Sequence, residues 1–76
     1  MEWKLARMVN NRKYVLEGVN IFDLEWKKTG EQVELKDVAH AARKMFDVCT
    51  VDLNGKEFKF AVCEIAQNTF CFYLPK

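Results

Sequence analysis

Near the start of the chain the apolar residues Leu5, Met8 and Val9 fall at helical spacing, with Lys4, Arg7 and Arg12 off that stripe. The pattern predicts an N-terminal amphipathic helix of about three turns over residues 2–13. A helix this short is marginal alone in water and must dock on something. Gly18 and Asn20 mark a break, and from Asn20 the period changes to two. Phe22, Leu24 and Trp26 point one way, and Asp23, Glu25 and Lys27 the other. Val33 and Leu35 resume the alternation beyond Thr29-Gly30, which reads as a two-residue turn. Counting outward from it sets Trp26 opposite Val33 and Leu24 opposite Leu35, giving a hairpin with one wet face.

Asp37 is placed to cap a short helix through Val38, Ala41, Ala42 and Met45, with an irregular loop as the competing reading. Residues 46–53 and 56–65 then flank Asn54-Gly55, the strongest short hairpin signal in the chain. Its register pairs Val51 with Phe58 and Cys49 with Phe60 on one face, and Val48 with Ala61 and Phe46 with Cys63 on the other. Both faces are apolar, so this hairpin is expected to be buried on both sides over part of its length. Gln67-Asn68 makes the next turn, Thr69–Leu74 forms the last strand, and Pro75 ends it. The expected fold is α+β, mainly β. An N-terminal helix packs on a curled or partly barrel-like five-stranded antiparallel sheet, with residues 1–76 forming a single small domain.

Composition narrows the chemistry more than it names it. The chain has 76 residues, is half hydrophobic and 30% charged, and carries a formal charge of +1. That balance describes a folded protein with no overall pull towards nucleic acid or anionic lipid. Three cysteines are an odd number, no apolar leader follows a basic start, and the run Phe70–Leu74 is far short of a membrane span. These features lead us to expect a reduced, soluble, cytoplasmic protein with no membrane partner. Cys49, Cys63 and Cys71 lack the close pairs that zinc sites use, and His40 is the only histidine, so no metal and no cofactor is expected. The chain contains no serine, which excludes a serine nucleophile. Glu25 and Glu34 would face each other on the wet side of the first hairpin, where an acidic pair reads as plain surface. An enzyme is not expected.

Two functional readings remain. The first is a small non-enzymatic interaction module that binds another protein or self-associates. It rests on Trp3, Trp26 and the two-faced meander, which give so short a chain more apolar surface than it easily buries. The alternative is a single-stranded nucleic-acid-binding domain. Lys56, Phe58, Lys59 and Phe60 interleave basic and aromatic residues on a strand, with Tyr73 expected on the same face of the next strand. Over five residues the segment resembles the aromatic strand motif of RNA-recognition and cold-shock domains, with Glu57 and Lys59 where that motif places glycines, and it assigns no family. Lys4, Arg7, Arg12 and Lys13 would assist. Against Glu2 they leave residues 1–14 at net +3, from four positive charges and one negative. Residues 15–37 carry six negative and three positive charges, net −3. The charge is therefore divided along the chain.

Overall fold

The computed structural model describes residues 1–76, and its elements are strands joined by turns, with no α-helix. The strands are β1 (Trp3–Val9), β2 (Val15–Leu16), β3 (Val19–Asn20), β4 (Lys27–Asp37), β5 (Ala42–Leu53), β6 (Lys56–Ala66) and β7 (Thr69–Pro75), with a 3-10 turn at Ile21–Asp23. The main sheet is antiparallel in the order β1-β7-β6-β5-β4, and β2 and β3 make a separate two-stranded ribbon. The sheet does not close, and β1 and β4 are its two free edges.

The N-terminal helix, and with it the α+β class, is overturned: residues 3–9 are a strand paired to β7. The physical reason is a one-residue bulge. Leu5 pairs with Tyr73 but Arg7 pairs with Phe72, leaving Ala6 unpaired. A bulge reverses which parity faces which side. Trp3, Leu5 and Met8 thus share one face, Lys4, Arg7 and Val9 the other, and the three-residue step from Leu5 to Met8 imitates a helical stripe.

The first hairpin is replaced as well. Lys27–Asp37 is one continuous strand, and Thr29-Gly30 lies inside a wide bulge instead of a turn. Lys28 pairs with Cys49 and Gln32 with Asp47, so three residues stand opposite Val48. Gly30 takes φ +88°, Thr29 Oγ1 donates to the Val48 carbonyl at 3.1 Å, and the Glu31 amide donates to Thr29 Oγ1 at 3.1 Å. The expected helix after Asp37 is a tight loop. The Asp37 carboxylate accepts from the Ala39 amide at 3.1 Å, the His40 amide donates to the Asp37 carbonyl at 3.2 Å, and Ala41 has φ +54°. Asp37 does cap a chain reversal, but a turn and not a helix.

The Asn54-Gly55 hairpin has the expected register, with Val51 opposite Phe58, Cys49 opposite Phe60 and Val48 opposite Ala61. Both turn residues have positive φ, 54° and 79°, as a type I′ turn requires. The turn into β7 also falls at Gln67-Asn68, between Ala66 and Thr69.

The two faces of the sheet are buried differently. On one, Val9, Cys49, Val51, Phe60, Val62 and Phe72 form a core that residues 10–26 cross as a lid, setting Ile21, Phe22, Leu24 and Trp26 onto it. Phe22, Leu24 and Trp26 thus do face the core together, from an irregular segment instead of a strand. On the far face Phe46, Ala61, Cys71 and Tyr73 have no covering layer. Trp3 from the β1 edge and Val33 and Leu35 from the β4 edge pack on that same cluster. Tyr73 on β7 also donates its hydroxyl to the Lys36 carbonyl on β4. Strands lie about 4.8 Å apart, so a flat sheet would leave Tyr73 far short of β4. The sheet curls so that its two edges shelter the far face.

Candidate functional site

The two edges are unlike. β4 carries Lys27, Lys28, Glu31, Glu34 and Lys36 and is broken by the Gly30 bulge. Charges of both signs and a bulge are the usual protection against edge-to-edge pairing. β1 carries Leu5 and Met8, which are 40% and 47% exposed on its far-face side. Its other side presents Lys4 and Arg7.

Lys4 and Arg7 belong to a larger group of unpaired cations. The ion pairs of the molecule are Lys27–Asp52, Lys28–Asp47 and Lys76–Glu2, and Lys4, Arg7, Arg12 and Lys13 have no carboxylate partner. Arg7, Asn10, Asn11 and Lys13 line an open cleft of about 460 Å³ where β1 runs into the lid, and no acidic residue borders it. Asn20 fixes the entry to the lid: its Oδ1 accepts from the Tyr14 amide at 3.0 Å and the Phe22 amide at 3.2 Å, and its Nδ2 donates to the Arg12 carbonyl at 3.2 Å. Held this way, the Arg12 guanidinium stands 5.9 Å from the centre of the Phe70 ring, and Tyr14 packs on Phe72 with ring centres 4.9 Å apart. Burial pushes the Tyr14 phenol above its ordinary range, and the Arg7 charge draws it part of the way back.

The aromatic platform read on β6 and β7 is divided. Phe58 is half-buried with the Lys56 ammonium 5.4 Å from its ring centre, while Phe60 is buried in the core beneath the lid. Tyr73 lies in the far-face cluster. The expectation sets it on the same face as Phe58 and Phe60, but Ala61 pairs with Tyr73, and the register steps by one between Glu64 and Ala66. That third bulge turns β7 over. Lys56 and Lys59 lie on β6 and Lys4, Arg7, Arg12 and Lys13 at the start of the chain, so the basic residues do not converge on one aromatic surface.

A smaller cleft of about 290 Å³ runs under Trp26, with Phe70, Cys49 and Val62 as apolar lining and Lys28, Asp47 and Glu64 at its sides. Lys28 is 3.7 Å from Asp47, and Glu64 accepts from the Asn68 amide at 3.2 Å, so its polar groups are engaged. Cys49 packs on the lid side and Cys63 and Cys71 on the far face. No three His, Cys, Asp or Glu side chains are grouped to hold a metal ion, and no helix is long and apolar enough to cross a membrane.

The β1 edge is what reading the residues missed. The signal was present in Trp3-Lys4-Leu5, which alternates as a strand does, but the Ala6 bulge interrupts the alternation after three residues. No family model, curated protein or solved structure matches this chain.

Proposed function

We propose that this protein is a non-enzymatic interaction module that binds another protein, and that it takes up an extended acidic segment along β1. The observation that carries the reading is the division of the free β1 edge, with unpaired Lys4 and Arg7 on one side and exposed Leu5 and Met8 on the other. An added strand receives backbone hydrogen bonds from an open edge, and its alternate side chains select it. A segment alternating acidic and aliphatic residues meets the cations with one set and Leu5 and Met8 with the other. Self-association through the same edge sets Lys4 and Arg7 of two copies against each other, which the like charges oppose.

The test is a titration with a synthetic peptide of alternating Glu and Val, read by the fluorescence of Trp3 and Trp26 and repeated at about 50 and 200 mM salt. Saturable binding that weakens with salt is expected, and Lys4→Glu with Arg7→Glu should weaken it about tenfold or more. Lys27→Glu, on the other edge, should leave it unchanged. Failure of the peptide to bind, or indifference to the β1 substitutions, overturns the proposal. Single-stranded oligonucleotides belong in the same experiment. Tighter binding of an oligonucleotide, lost in Phe58→Ala with the fold intact, transfers the function to the nucleic-acid reading. A concentration-dependent dimer in sedimentation that excludes the peptide transfers it to self-association.

A further inference from the structure

Cys63 on β6 and Cys71 on β7 are directly opposed in the antiparallel register. Both point to the far face, where Cys63 packs against the cluster containing Cys71, and both thiols are free. Opposed residues in an antiparallel pair have Cα atoms about 4.5–5.5 Å apart, within the span a disulfide bridges. Cys63 is partly exposed while Cys71 is fully buried, so one thiol is reachable from solvent and the other is shielded from it. The third cysteine, Cys49, lies on the opposite face of the sheet and has no sulfur partner.

We propose that Cys63 and Cys71 are a redox-modification site. Cys63 reacts with a small-molecule disulfide of the glutathione class, and Cys71 resolves the adduct into a cross-strand disulfide joining β6 to β7. The Cys63 thiolate attacks one sulfur of the oxidant, forming a mixed disulfide and releasing the first small thiolate. Cys71, after losing its proton, attacks the Cys63 sulfur, forming the Cys63–Cys71 bond and releasing the second. Two electrons pass from the protein to the oxidant, which leaves as two thiols carrying the two cysteine protons.

The surroundings set the speed. Burial pushes the Cys71 thiol up to about 11, and the Asp37 carboxylate and Cys63 add to the rise. Cys63 is also raised, by burial first, with Lys44 opposing and Asp37, Asp47 and Glu64 adding to it. Closure is therefore slow near neutral pH and accelerates about tenfold for each pH unit while the resolving thiol stays mostly protonated.

The 76-residue chain is incubated with glutathione disulfide at pH 8 without denaturant, then quenched with an alkylating agent in denaturant and mapped by tryptic mass spectrometry. Cleavage after Lys59 leaves Cys63 and Cys71 in one peptide and Cys49 in another. The expected result is a peptide containing Cys63 and Cys71 that is lighter by two hydrogens and takes up no alkylating agent, while Cys49 is fully alkylated. Cys71→Ala should stop at the Cys63–glutathione adduct, and Asp37→Asn should close faster than the parent. A stable adduct at Cys63 in the parent, two alkylatable thiols in that peptide, or preferential reaction at Cys49 each overturns the proposal. The parent map decides the matter even if a variant fails to fold.

Discussion

Cys71 also links this small core to pH in a way that can be measured on folding. Its thiol is pushed from an ordinary value of 9.0 up to about 11 in the folded chain. Below pH 9 both states keep the proton and the stability is fully present. Between the two values the unfolded chain releases its proton while the folded chain holds on, so rising pH favours unfolding. Tyr14 and Tyr73 are raised as well, by burial in both cases, and act in the same direction at still higher pH. Urea denaturation from pH 8 to pH 11 should show stability falling by on the order of 1–2 kcal/mol through Cys71, after allowance for screening. Cys71→Ala should reduce that slope whatever it does to stability at pH 8, with Cys49 and Cys63, also raised by burial, keeping part of it. An unchanged slope would place the titration elsewhere.

Three elements were readable from the residues, and three bulges account for most of what was not. Asn54-Gly55 announces its hairpin because a type I′ turn demands positive φ twice and few other dipeptides accept it. The side-chain period of a strand is two, so one inserted residue reverses every assignment beyond it. Ala6 in β1 made a strand look like a helix, and the register step between Glu64 and Ala66 placed Tyr73 on the wrong face. It also hid the Cys63–Cys71 pairing, since an unbroken count from Gln67-Asn68 sets Cys63 opposite Phe72. Thr29-Gly30 is a different case, because a glycine with positive φ serves a bulge as well as a turn. The candidate site was legible as a run of basic residues but not as a sheet edge, since edges are decided by pairings distant in sequence. Gly30 offers a test of its element: a Cβ there would touch nothing within 4 Å, so Gly30→Ala probes the backbone alone at φ +88°. The substitution should cost about 1 kcal/mol in urea denaturation. No loss would mean that β4 runs past Val48 without this conformation.

The whole molecule depends on a lid to bury one face of a sheet that shelters its other face by curling. Trp26 is where the lid meets the core. Its ring centre lies 5.1 Å from Phe22, 5.2 Å from Phe60 and 5.7 Å from Phe72. Its indole N–H donates to the Ile21 carbonyl at 2.8 Å, closing the lid segment on itself around the 3-10 turn. A domain of this size without disulfides typically has about 3–5 kcal/mol of stability in total. Removing a fully buried tryptophan side chain costs about 3–5 kcal/mol, and partly buried Trp26, packed on three aromatic rings, also gives up its hydrogen bond. The loss is comparable to the whole stability, so Trp26→Ala should leave a large unfolded fraction at 25 °C, seen as lost strand signal in circular dichroism. Trp26→Phe keeps much of the ring packing but not the donor, and should fold with reduced stability. Trp3→Phe, at the opposite face and the sheet edge, should be milder than either. A Trp26→Ala protein that kept its strand signal and its cooperative unfolding would show that the sheet holds without its lid, with the far-face cluster as the core that carries the fold.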